Sequence, residues 1–99
     1  MCSFLFSSRK DTLDNLEYVN HFLKFRGPDF TSSLEDSRFH YVHNLLHLTG
    51  DITTQPFVHK EGNIIAFFNG EIYNYKDFGN YPSDGYCIIP LYQEYGASF

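Results

Sequence analysis

Cys2 is the side chain of this 99-residue sequence whose position alone suggests a nucleophile. A Met before a small residue is commonly removed, which leaves a free α-amine beside the thiol. Such an amine titrates close to neutral pH and can act as general base for the thiol. Taken by itself the signal is weak, since a cysteine at this place also reads as a small residue in an apolar strand. Cys87 lies near the other end, and neither cysteine belongs to a CxxC pair or a Cys/His array of the zinc type. His40, His43 and His47 raise the question of a metal. In an extended segment His43 and His47 share one face and His40 takes the other. No nearby carboxylate or thiolate completes a site, so the three read as structural or surface histidines and no metal is expected.

The elements that must position Cys2 follow from periodicity and punctuation. Residues 2–6, rich in Phe and bounded by Ser7 and Ser8, read as a short strand. Over 11–25 the apolar residues Leu13, Leu16, Val19, Phe22 and Leu23 recur at helical spacing behind Asp11 or Thr12 as cap, and Gly27-Pro28 stops the helix. Residues 31–37 are polar and turn-favouring and read as a loop. Residues 38–48 read as a partly buried strand, 50–56 as a loop, and 63–68 as a second strong strand. Asn69-Gly70 favours positive backbone dihedrals and predicts a tight reversal, with 71–73 beginning the return. A short turn or helix is expected over 74–79. A helix over 83–95 follows, capped by Ser83 or Asp84 and ended by Gly96, with Pro90 tolerable only in its first turn. This mixture of strands and helices favours an α+β layered arrangement over a parallel doubly wound sheet.

Composition narrows the functional classes. Apolar residues make up 42% of the chain and aromatics 19%, including eleven Phe and eight Tyr, which favours a folded state over disorder. The net charge of -5 and seven scattered Lys and Arg offer no basic stripe, so nucleic acid is not an expected partner. No apolar run approaches the ~20 residues needed to span a bilayer, nor does 2–6 match a signal-peptide core. A cytoplasmic protein without a membrane partner is the expectation.

Several segments occur in a fixed order. Met1-Cys2-Ser3 opens the chain, Arg26-Gly27-Pro28-Asp29 follows the first helix, and Gln55-Pro56 precedes the strand that runs into Asn69-Gly70-Glu71-Ile72-Tyr73-Asn74. Ser83-Asp84 and Leu91-Tyr92-Gln93-Glu94-Tyr95-Gly96 complete the series. Over essentially its whole length the sequence resembles the N-terminal-nucleophile glutamine amidotransferase (glutaminase) domain of glutamine-hydrolysing asparagine synthetases. The resemblance implies a partial αββα sandwich of antiparallel strands with flanking helices, residues 1–99 supplying the N-terminal half of the domain. It implies that Cys2 attacks the side-chain amide of glutamine and forms a thioester. Asn69, through its side-chain amide, and Gly70, through its backbone N–H, would bind the oxyanion. Glu71 and Asp84 match carboxylates that receive the α-ammonium of glutamine, and Arg26 matches an arginine near the nucleophile. No cofactor is implied for this domain, ATP and Mg belonging to an associated synthetase domain.

Three departures stand out. The family usually carries an Arg two residues after the His of the strand preceding Gln-Pro, where it pairs with the substrate α-carboxylate. Here that place is Leu45, with Arg38 and His47 as possible replacements. Tyr86 stands where a Glu often completes Ser-Asp-x-Glu. The family's domain is also considerably longer, so a synthetase domain or a second chain completing the fold is an expected partner, since unfinished sheets expose unpaired edges. Beside the glutaminase reading stand a degenerate, non-catalytic binding or assembly module and an enzyme for an amide lacking a free α-carboxylate.

Overall fold

Two antiparallel sheets and two helices make up the computed structural model, which describes residues 2–8, 15–48, 51–61 and 63–99. The chain is α+β. The first sheet has the order β1-β3-β2, with β1 at Ser3–Ser7, β2 at Phe30–Glu35 and β3 at His40–Leu45. The second is a hairpin of β4 (Phe57–His59) and β5 (Ile64–Ala66). Helix α1 spans Leu16–Leu23 and tightens into a 3-10 turn over Lys24–Arg26; α2 spans Ile88–Tyr95 behind a 3-10 turn at Asp84–Cys87.

The register decides which side chains share a face. Phe4 and Ser32 both stand opposite His43, and Phe6 and Leu34 opposite Tyr41. Directly paired residues lie on one side of a sheet, so these form one face, while Ser3, Thr31 and Asn44 belong to the other. The first face carries Phe4 and Tyr41 against Phe67, just beyond β5, at ring distances of 5.5 and 5.2 Å. Against the second face lies α1, joined by hydrogen bonds from Ser3 Oγ to the Leu23 carbonyl (2.9 Å) and from Asn44 Nδ2 to Asn20 Oδ1 (2.7 Å). On the far side of the hairpin α2 contacts β5, and Phe57 meets Tyr86 edge-on at 5.2 Å.

Several expectations from the sequence change. Residues 31–37, expected as a loop, supply most of strand β2. Among the described residues it is an edge strand paired with β3 alone and largely exposed; Ser33 faces water, and Thr31 and Ser32 satisfy their hydroxyls on Asn44 and the Gln55 carbonyl, so the polar composition misleads. The turn lies at 36–39, where the Asp36 carboxylate accepts the N–H groups of Arg38 and Phe39 at 2.7 and 2.8 Å. The reversal expected at Asn69-Gly70 is absent. Neither residue takes a positive φ, no strand follows at 71–73, and β4 and β5 are joined by a turn in which Asn63, at φ 51°, donates its N–H to the Lys60 carbonyl (3.2 Å).

On α1 the buried position is Asn20, while Val19 and Phe22, expected on the inner face, are 42% and 55% exposed. The expected helix start and its Asp11 or Thr12 cap lie outside the described residues. Pro90 is the third residue of α2 and so falls in its first turn, where its missing N–H has no intrahelical partner to lose. Gly96 ends the helix at φ 63°. No helix among the described residues is long and apolar enough to cross a membrane.

Candidate functional site

Cys2 precedes β1 at the end of the sheet where β3 runs out. It is half-buried, and its Sγ accepts the Leu46 N–H at 3.3 Å and lies 3.7 Å from the Leu46 carbonyl. Ser3 is held by a buried polar network. Asn44, with no exposed surface, donates to Ser3 Oγ (3.1 Å) and to Asn20, and accepts from Thr31 Oγ1 (2.9 Å) and Asn20 Nδ2 (3.3 Å). One carboxamide thus joins β1, β2, β3 and α1 one residue from the thiol.

The end of β3 is braced from outside by the loop that follows α1. The Asp29 N–H donates to the Leu45 carbonyl (3.0 Å), and Asp29 Oδ2 accepts the His47 N–H (2.7 Å). A Cβ on Gly27 would lie 2.1 Å from the Asn44 carbonyl oxygen, so only a glycine allows this approach.

A second segment, 68–72, is pinned at both ends. Upstream, the buried Gln55 side chain donates to the Phe68 carbonyl (2.9 Å) and accepts the Phe68 N–H (2.7 Å), copying a strand's pairing. The Gln55 carbonyl in turn accepts from Ser32 Oγ. Downstream, Asp84 Oδ2 accepts the Ile72 N–H (2.8 Å) while Oδ1 accepts the N–H of Gly85 (2.9 Å). Ser83 occupies the cap position of this helix without a capping bond from its side chain. Gly85 permits the tight seat of the helix start, since a Cβ there would lie 2.4 Å from Phe57 Cζ.

Between these segments lies an open cavity of about 320 Å³. Cys2, Asn69, Gly70, Glu71 and Asp84 all line it. Five of the six residues singled out in the sequence therefore surround one space; Arg26 is exposed and does not line it. Leu45, only 7% exposed, forms part of the wall with Leu46 and Leu48. Of the side chains suggested in place of a cation at Leu45, His47 lines the cavity, whereas Arg38 lies over the Phe39 ring at 5.0 Å, beyond the opposite end of β3. Tyr86 packs on Phe57 and does not line the cavity.

The two cysteines differ in setting. Cys87 is fully buried with Sγ 3.0 Å from the Asp84 carbonyl, and burial, aided by the Asp84 charge, pushes its thiol up. It remains a protonated thiol away from the cavity. His43 is fully buried without a hydrogen bond to either ring nitrogen, and burial pushes its pKa down, so it is a neutral core imidazole. Among the described residues no three His, Cys, Asp or Glu side chains are grouped to hold a metal ion.

The sequence reading missed the residues that hold the site rather than line it, namely Asn20, Thr31 and Asn44. It quoted Ser3 and Gln55 within motifs without giving them a task. No local pattern could reveal these roles, because their partners stand 13 to 41 positions away.

Residues 1–98 match the family model described as a glutamine amidotransferase domain. The chain is 31% identical over 101 residues to asparagine synthetase [glutamine-hydrolyzing] 2 of Bacillus subtilis, covering 93% of this chain and 14% of that protein. It is 36% identical over 77 residues to human asparagine synthetase domain-containing protein 1, covering 74% of this chain and 12% of that one. It is 30% identical over 106 residues to amidase chry2 of Gibberella zeae, covering 91% of this chain and 15% of that one. The chain thus spans about one seventh of the length of the curated relatives it matches. No solved structure gives a significant match. With this match over nearly every residue, and a cavity lined by the Cys2 and Asn69-Gly70-Glu71 segments that carry the likeness, the chain belongs to the glutamine amidotransferase domain family, similar to that of glutamine-hydrolysing asparagine synthetases.

Proposed function

We propose that Cys2 hydrolyses a glutaminyl side-chain amide and releases ammonia. The supporting observation is that Cys2 and Asn69-Gly70 line the same cavity. With Met1 removed, the Cys2 α-amine takes the thiol proton as Sγ attacks the amide carbon. The Asn69 amide and the Gly70 N–H stabilise the oxyanion of the tetrahedral intermediate. Its collapse breaks the C–N bond, the amine returns the proton to the departing nitrogen, and ammonia leaves a thioester on Sγ. Water then attacks the thioester, yielding the side-chain carboxylic acid and the free thiol. Glu71 receives the α-ammonium of the substrate, while Asp84 supports it mainly by fixing the Ile72 backbone. Arg26, exposed and outside the cavity lining, has no contact role in this scheme. The ammonia passes to an ATP-using synthetase domain, carried on the same or a second polypeptide. The order of packing, α1 on one sheet, that sheet on the hairpin and the hairpin on α2, supports the N-terminal half of an αββα N-terminal-nucleophile sandwich.

The test combines mass spectrometry of the processed chain with an ammonia assay and the electrophile 6-diazo-5-oxo-norleucine. The expected results are an adduct on Cys2, ammonia release, and loss of both in Cys2→Ala. A second reading, a non-catalytic assembly module, is favoured by the apolar Leu45 wall. A folded, Met-processed protein that gives neither adduct nor ammonia with any glutaminyl amide would establish it instead.

A further inference from the structure

The charges around the cavity bear on which amide it takes. Asp51, Glu71 and Asp84 are among its lining residues, Asp84 with both oxygens already accepting backbone N–H groups, and among the described residues no Lys or Arg lines it. His47, exposed at the rim, is the one described lining side chain that protonation can make cationic. The wall opposite the acidic segment is Leu45, Leu46 and Leu48. The backbone of the helix start offers no ready donor in compensation, because the Gly85 N–H is bound to Asp84 and the Tyr86 N–H to the Ser83 carbonyl (3.3 Å); the hydroxyl-bearing lining residues Thr53, Tyr73 and Ser83 are neutral.

Free glutamine brings two opposite charges on the same carbon. A pose that places its ammonium against Glu71 holds its α-carboxylate close to the same carboxylate or against the leucines, and nowhere in the described lining, the neutral hydroxyl residues included, does it meet a Lys or Arg. The first arrangement is repulsive, and the second strips water from an ion without supplying a partner. A glutaminyl group whose α-carboxyl is in amide linkage keeps the ammonium and loses the anion. Its α-amide brings N–H donors that suit a carboxylate-lined cavity, and its carbonyl tolerates the leucines better than a charged group does.

Resting on the Cys2 hydrolase reading, we propose that the substrate is a glutaminyl group with a free α-ammonium and an amidated α-carboxyl, rather than free glutamine. One unscreened like-charge contact near a protein surface is enough for a preference of at least about tenfold in kcat/KM.

The test measures ammonia release by the full chain, with Met1 removal confirmed, at about pH 7, where an α-amine of ordinary pKa about 7.7–8.0 is mostly the ammonium. The substrates are glutamine, glutaminamide, a glutaminyl-alanine amide and N-acetylglutaminamide. Glutaminamide hydrolysed at least tenfold better than glutamine, with the N-acetyl compound poor, is the expected result. Equal activity on glutaminyl-alanine amide identifies peptide amino termini as the source; activity on glutaminamide alone identifies a small α-amide. Leu45→Arg should shift the preference toward glutamine, and circular dichroism checks that it folds. Glutamine hydrolysed as well as or better than the blocked amides overturns this proposal and leaves the Cys2 reading standing. No ammonia from any amide, together with no label on Cys2 from 6-diazo-5-oxo-norleucine or its α-amide, overturns both.

Discussion

Replacing Gln55 by Glu keeps the size of the side chain and exchanges one N–H donor for an oxygen. Gln55 now satisfies both backbone groups of Phe68, at 2.9 and 2.7 Å. In Gln55→Glu the Phe68 N–H keeps its acceptor, but a carboxylate oxygen faces the Phe68 carbonyl where a donor stood. An unsatisfied buried group costs about 1–3 kcal/mol and more when charged, so about 2–3 kcal/mol is expected near neutral pH. When the new carboxyl is protonated, its O–H restores the donor. The folded state therefore holds that proton more tightly than the unfolded chain does, where a Glu titrates at about 4.3. The restored stability is fully present below that value and is lost as pH rises through the higher folded value, by at most about 1.4 kcal/mol per pH unit.

The assay is urea unfolding of Gln55→Glu, Gln55→Leu and wild type at about pH 4.5 and 7.5, taking differences from wild type at each pH so that other titrations cancel. Gln55→Leu, which leaves both Phe68 groups unpaired, should cost about 2–4 kcal/mol without this pH dependence. A Gln55→Glu protein within about 0.5 kcal/mol of wild type at the higher pH, or a difference that does not change with pH, would refute the reasoning. Because Phe68 directly precedes Asn69, both variants should also lower kcat more than they raise KM.

Burial depresses the His43 pKa in the folded state, so the unfolded chain binds more protons below its ordinary value of about 6.5 and stability should fall as pH drops from there. Urea midpoints between about pH 7.5 and 5 should show this slope, and His43→Leu should remove part of it. Asn44→Leu leaves polar groups of Asn20, Ser3 and Thr31 without their partner and should cost about 2–4 kcal/mol, while the Asn20→Leu/Asn44→Leu pair should cost less than the sum of the singles.

Periodicity was a good guide wherever a segment buries one face. The Phe-rich run over 2–6, the strand expected over 63–68, of which Ile64–Ala66 forms, and the pattern before Tyr95 all correspond to elements of the fold. It failed at β2, where an exposed edge lets Thr31, Ser32 and Ser33 stand in a strand, and on α1, where Asn20 takes the innermost place. The Asn69-Gly70 dipeptide illustrates a different limit. It is a turn signal in isolation, but Gln55 and Asp84 hold its surroundings in another conformation, and the turn falls at Asn63 instead. The lining of the cavity was legible because the motif residues carry it. Its supports were not, since each depends on a contact between distant positions.

The bracing of β3 by Gly27 and Asp29 has a consequence for how the cavity discriminates. Its leucine wall is a mould and not a gate: for the backbone at His47 to move aside, the bond from its N–H to Asp29 must break, and Gly27 leaves no slack against Asn44. Selectivity on this side should then be insensitive to ligand size up to the limit of the mould and fall abruptly beyond it. A ligand that does not fit has to enlarge its room at the 68–72 segment, where Glu71 and the neighbouring Tyr73 are exposed and Gln55 and Asp84 hold the backbone at Phe68 and Ile72.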